Sequence, residues 1–269
     1  MSLAPATLSQ RKPRLRCEGE DLPLWSAARG GGRDVKRFIT QVEGFKPNVI
    51  VHAGASLAQE LERYEALGAR HVVWIEAVPA VAEQMRDRVA ERSSGRTTHT
   101  CVQAVITDRD GDDIIFNHFN NFDASSSIFR GTEVLHDKWP KLRETGETSV
   151  LKSSRLDTLL GGLGVRPEDV DVLILDIQGA ELLGLKGAGV YLDHAAFLEV
   201  ECSVEPIYEG GALFGEVNAL VESKGFARLS ETPWHGDVVY VRSGLLDEDR
   251  FAALRLIAEQ RRAESQGAA

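Results

Sequence analysis

Four apolar residues, Val172 to Leu175, run straight into Asp176, and after Ile177, Gln178 and Gly179 a helical pattern begins at Ala180. An unbroken apolar run of this length reads as a strand buried on both faces, the kind found in parallel sheets covered by helices. In such an open sheet, ligands sit outside the carboxyl ends of the strands. A carboxylate at that end is therefore a candidate for chemistry. The competing reading is a helix N-cap, because Asp is a favoured cap residue. The spacing alone leaves both open.

The rest of the chain supports the same architecture. Strands are expected at 48–53, 71–76, 98–106, 113–119, 172–177, 196–202, 226–230 and 237–242. Helices are expected at 34–44, 57–67, 80–92, 155–163, 180–191, 213–224 and 247–264. This alternation predicts an α/β fold built on a mostly parallel, seven-stranded sheet, with the last two strands forming an antiparallel hairpin. Residues 1–33, rich in Pro, Gly and charge, read as an arm or lid. Residues 34–243 read as the main domain, and residues 244–269 as a C-terminal helix. The polar stretch 120–150 reads as an irregular insertion suited to a substrate lid.

With 41 acidic against 31 basic residues, the formal charge is −10, which disfavours a nucleic-acid partner. Cys17, Cys101 and Cys202 are odd in number and widely spaced, so neither a disulfide framework nor a cysteine zinc site is expected. No apolar run approaches the roughly 20 residues of a membrane span, and the start of the chain lacks a signal-type apolar segment. A cytoplasmic protein without a membrane partner is expected. The apolar stripe of the last helix packs either on its own core or on a second copy, so a homodimer stays open. No spacing demands a metal ion, and none is assigned.

The first strand ends in His52-Ala-Gly-Ala-Ser56 and leads into a helix. Small residues let the backbone approach a ligand, and a helix start offers free N–H groups. Glu76 ends the second strand about 20 residues after Gly54, the spacing at which an acid accepts hydrogen bonds from ribose hydroxyls. Alternatively it caps the next helix. A dinucleotide loop wants three glycines, whereas this loop has only Gly54. That weighs against NAD and favours S-adenosylmethionine, which has no phosphate to cradle.

Several segments in order then resemble the FkbM-type S-adenosylmethionine-dependent methyltransferases, across roughly residues 47–242. Asn48-Val-Ile-Val-His-Ala-Gly-Ala55 resembles the first-strand motif, and Trp74-Ile-Glu-Ala-Val-Pro79 the ribose motif. Gln103-Ala-Val-Ile-Thr-Asp-Arg-Asp-Gly111 is similar to the third-strand segment, and Ser125-Ser-Ser-Ile-Phe129 to the serine run of the insertion. Arg155-Leu-Asp-Thr-Leu-Leu160, Leu175-Asp-Ile-Gln-Gly-Ala-Glu181, Glu199-Val-Glu201 and Trp234-His-Gly-Asp237 complete the order. The family's usual first-strand acid is His52 here, and its usual Asn and second Gly are Ser56 and Ala58.

The resemblance implies a class I methyltransferase fold and transfer of a methyl group to oxygen, commonly a hydroxyl of a sugar or a glycosylated small molecule. It implies that S-adenosylmethionine is held by His52, Ala53, Gly54, Ala55, Ser56, Glu76, Ala77, Gln103, Ala104 and Asp176. A neutral His52 could accept a hydrogen bond from the cofactor's ammonium group, or it could simply be a strand-end histidine bonded to backbone. Asp176 is expected to be the general base or to orient the acceptor, with His235 in the closing hairpin loop as its rival. Asn121, Ser125, Ser126, Ser127, Gln178 and Glu201 are expected to bind a polyol acceptor, although loop serines and asparagines are equally often just solvated. Glu181 either joins them or stabilises its helix start. Two other readings remain. One is a non-catalytic cofactor-binding protein of the same fold. The other is a nicotinamide-dependent oxidoreductase, opposed by the glycine-poor loop and the lack of a Tyr-x-x-x-Lys pair.

Overall fold

The computed structural model describes residues 36–40, 42, 44–230, 234–249 and 251–252. The expected arm and the final helix beyond residue 252 lie outside the described residues, as does part of the hairpin turn, 231–233.

A short helix α1 (Lys36–Ile39) precedes β1 (Val49–Ala53), α2 (Leu61–Ala66), β2 (His71–Glu76) and α3 (Pro79–Arg92). These are followed by β3 (Thr98–Gln103), β4 (Val105–Thr107), β5 (Asp113–Phe119), α4 (Glu133–Lys138) and β6 (Glu144–Arg155). The second half contains α5 (Leu156–Gly162), β7 (Val170–Leu175), α6 (Glu181–Gly187), α7 (Val190–His194), β8 (Phe197–Ser203), α8 (Phe214–Ser223), β9 (Phe226–Arg228) and β10 (His235–Arg242).

Seven strands form one sheet in the order β3-β2-β1-β7-β8-β10-β9. β1 pairs in parallel with β2 and with β7, β7 with β8 and β2 with β3, whereas β10 runs antiparallel to β8 and β9. Every residue of β1 and β7 is buried, as their continuous apolar runs require. One face of the sheet packs Ile50, Trp74, Met85 and Phe197 into a core, and the other packs Val51, Leu173, Leu156 and Tyr240. The strand order reverses between β1 and β7, and such a switch point opens a crevice at the carboxyl ends of the strands.

The structure departs from the sequence-based expectation at several elements. The expected third strand splits at Ala104: β3 stays in the main sheet, while β4 joins β6 and β5 in a three-stranded sheet. The stretch 120–150 is irregular only in part, since it contains α4 and most of β6. Polar, mostly exposed β6 lacks an apolar pattern of its own and is held by antiparallel pairing to β5. The small sheet packs over the start of α3 through Val78, Val81, Val105 and Phe116. The helix expected over 180–191 breaks into α6 and α7, because Gly189 takes φ +50. The helix expected from 57 starts only at Leu61, after Ser56 and Ala58 adopt positive φ. Finally, His235 is not a loop residue. It opens β10 and pairs with Ser203, because β10 follows β8 down to its end.

Candidate active site

Gly54 sits at φ +81 immediately after β1, where a Cβ would lie 1.6 Å from the Asp176 carbonyl oxygen. Only glycine lets β1 and β7 end so close together. Asp176 N–H donates to Ala53 O (3.0 Å), and Gly54 and Ala55 N–H groups donate to Ile75 O (2.9 and 3.0 Å). The ends of β1, β2 and β7 are thereby tied into one rim.

Glu76 closes the β1 turn from the side. One carboxylate oxygen accepts Ser56 N–H and the other Val78 N–H, both at 2.9 Å. Val78 is the N-cap residue of α3, so Glu76 serves the helix start and the ligand loop together. Burial raises its pKa, partly offset by those backbone bonds. Each oxygen keeps a second lone pair for a further donor.

His52 is buried between aromatic rings. Its Nδ1 lies 3.1 Å from Tyr64 Oη, and its ring centroid is 5.8 Å from that of Trp74. Burial lowers its pKa to about 4, so the ring is neutral at physiological pH. Its Nδ1 partner is the Tyr64 hydroxyl, a side chain and not the backbone.

Beyond this rim lies a cavity of ≈ 430 Å³. Of the expected cofactor contacts, His52, Gly54, Ala55, Ser56, Glu76, Ala77, Ala104 and Asp176 form part of its wall. Ala53 does not, because it is fully buried in the sheet. Nor does Gln103, whose amide is turned onto Ala77 O at 2.7 Å and so supports the wall from behind. Apolar side chains of Val81, Val105, Phe116 and Ile128 cover another part of the wall, and Asp123 and Ser126 reach it from the insertion.

The expected acceptor residues divide. Gln178 and Ser126 line the cavity. Asn121 and Ser125 bond each other (2.9 Å), and fully buried Ser127 donates to Gln178 O at 2.6 Å, so these three stabilise the loop and do not line the cavity. Glu201 and His235 lie outside the cavity wall, on a second, much smaller pocket.

Gln178, at φ +54, connects the two spaces. Its Nε2 donates to Asp176 Oδ1 at 2.5 Å and to Glu201 Oε2 at 2.9 Å, while its Oε1 accepts Tyr208 Oη–H at 2.7 Å. Tyr208 was not among the sequence-based candidates. A tyrosine in a turn carries no local signal, and only the tertiary contact reveals it. The shared Gln178 Nε2 donor thus brings the Asp176 and Glu201 carboxyl groups side by side. Burial, together with the neighbouring carboxyl groups, pushes Glu201 well above the ordinary carboxylate range. Burial raises Asp176 as well, while hydrogen bonds from Glu201 and Gln178 favour its ionised form. Glu181 Oε1 accepts Ile177 and Gly179 N–H (3.0 and 3.1 Å), which makes it the clasp of the turn after β7.

An open sheet of this order with an antiparallel last pair, a glycine turn after β1, an acid ending β2 and an acid just past the switch-point strand is the class I methyltransferase fold. Residues 29–227 match the Methyltransferase FkbM domain, and the chain belongs to that family. Among solved structures it is similar to the methyltransferase FkbM of Methylobacillus flagellatus KT, at 14% identity and TM-score 0.42, over 72% of this chain and 43% of that one. A SAM-dependent methyltransferase from Aquifex aeolicus is similar at 12% identity and TM-score 0.38, over 77% and 88% of the two chains. The bifunctional kinase-methyltransferase WbdD is similar at 13% identity and TM-score 0.42, over 73% of this chain and 35% of WbdD. The chain thus spans less than half of the M. flagellatus and WbdD chains it matches. No curated protein matches it. Among the described residues no helix is long and apolar enough to cross a membrane.

Proposed function

We propose that the chain transfers a methyl group from S-adenosylmethionine to a hydroxyl oxygen of a sugar or glycosylated small molecule. The observation that carries this reading is Asp176, which stands in the cavity wall against Gly54 and is joined through Gln178 to Glu201 behind it.

The residues present suit the cofactor. The ≈ 430 Å³ cavity falls within the range of small-molecule sites. Its wall offers a carboxylate with spare lone pairs (Glu76) for ribose hydroxyls, an apolar patch (Val81, Phe116, Ile128) for an adenine ring, and a neutral imidazole (His52) near the glycine turn. When bound, the sulfonium supplies an electrophilic methyl carbon. What remains for this chain is to orient the acceptor oxygen and take its proton. Asp176, which accepts the Gln178 Nε2–H, is the base within reach of the cavity. Gln178 and Ser126 present polar groups to the same space and suit a hydroxyl-rich acceptor.

Calorimetric titration with S-adenosylhomocysteine, with NAD as control, tests the cofactor. Binding near micromolar, about −8 kcal/mol, is expected with NAD silent; the opposite pattern removes the proposal. Asp176→Ala should abolish turnover of a methyl glycoside while S-adenosylhomocysteine still binds. Full activity in that variant would remove Asp176 as the base.

A further inference from the structure

We propose that Glu201 and His235 form a proton exit, carrying the acceptor's hydroxyl proton away from Asp176 into the small second pocket. This rests on the reading of Asp176 as base.

Two spaces lie back to back. Asp176 faces the large cavity, whereas Glu201 and His235 face a pocket of ≈ 20 Å³ that also involves Ser203, Glu205 and Tyr208. That is room for about one ordered water beside Glu201 and His235. The contacts run unbroken between the two spaces. Gln178 Nε2 holds the Asp176 and Glu201 carboxyl groups together, Glu201 Oε1 lies 3.3 Å from His235 Nε2, and His235 Nδ1 lies 2.7 Å from Ser203 Oγ. Sheet register produces this line. Antiparallel pairing places Ser203 opposite His235 and Glu201 opposite Asp237. Side chains two residues apart on one strand share a face, which brings Glu201 and His235 together.

The transfer balances through this line. The acceptor O–H bond breaks as its oxygen gains the methyl carbon and the sulfur–carbon bond breaks, so one positive charge leaves sulfur and one proton must be placed. Asp176 takes that proton, Glu201 gives its own to His235 Nε2, and His235 releases it to water in the small pocket. The carboxyl pair ends as it began, with one proton and one charge. The groups facing Glu201 are Asp176, Glu181, Asp237, Cys202, Tyr208 and His235. Those around His235 are Glu201, Ser203, Glu205 and the rings of Trp139 and Trp234, with Lys138 Nζ 4.5 Å over Trp234. Of all these, only histidine ordinarily titrates near neutral pH.

The test is an NMR titration of the His235 ring in the full chain without ligand, in the wild type and Glu201→Gln. A Glu201 that carries its proton gives the ring no ion pair, so the two midpoints should differ by less than about half a pH unit. A midpoint about one unit or more lower in Glu201→Gln overturns the proposal, because it shows an ionised Glu201 with no proton to pass on; a rise of that size overturns it too. With a methyl glycoside as acceptor, His235→Gln should lower kcat about tenfold or more at unchanged S-adenosylhomocysteine affinity; an undiminished kcat overturns the exit. If S-adenosylhomocysteine fails to bind at all, the cofactor reading falls, while the ligand-free titration still decides whether the proton line exists.

Discussion

Gly54 and Asp176 meet backbone to backbone: a Cβ on Gly54 would lie 1.6 Å from the Asp176 carbonyl oxygen. The turn that faces the cofactor cavity and the acid proposed as base are therefore one mechanical unit. Gly54→Ala must separate β1 from β7 as well as strain a positive-φ position, and should cost about 3 kcal/mol or more. Denaturant unfolding alongside S-adenosylhomocysteine titration reads both effects. A variant with native stability and affinity would show that the two strand ends are not held together as described.

Glu76 joins the same rim from β2. In Glu76→Gln, one amide group must face a backbone N–H that now bonds a carboxylate oxygen, either Ser56 or Val78, leaving two donors opposed. A loss of about 1–3 kcal/mol in stability is expected. S-adenosylhomocysteine affinity should fall about tenfold, or about 1.4 kcal/mol. Retained affinity at reduced stability would make Glu76 a loop fastener only.

Glu181 sets a pH dependence. Burial raises its pKa to about 8 from 4.5, outweighing the backbone bonds that favour its charge. An acid whose folded pKa is raised binds its proton more tightly when folded, so its stabilising share is complete below about pH 4.5 and fades as pH rises towards 8. Over that window the wild type should lose up to about 1.4 kcal/mol per pH unit relative to Glu181→Gln, which cannot ionise. Urea unfolding at pH 5, 6.5 and 8 measures the difference. Parallel curves for the two proteins would refute the buried-acid account.

Much of this molecule was legible in the one-dimensional pattern. The apolar run into Asp176, the glycine after β1 and the acid ending β2 each mark a strand end, and strand ends face the same crevice in a parallel sheet. Eight of the ten expected cofactor contacts stand in the cavity wall for that reason. Ala53 is enclosed between β2 and β7, and Gln103, beside Glu76 in the register, spends its amide on Ala77 O. The insertion misled in the other direction. β6 has no apolar stripe, so its sequence reads as a loop, and it becomes a strand because β5 and β4 offer it partners.

Asp176 as a strand-end acid was decided by local sequence alone, because apolar runs, turn residues and helix starts act over a few neighbouring positions. What Asp176 touches was decided by the tertiary fold. Gln178, Tyr208, Glu201 and His235 come from four separate segments, and no periodicity links residues 176, 201 and 235. Strand register aligned β10 with β8 and so set His235, expected as a rival base, against Glu201, expected as an acceptor ligand, on the small pocket and not on the cavity wall. Such long-range pairing depends on the packing of the whole chain, which the order of residues along one strand does not display.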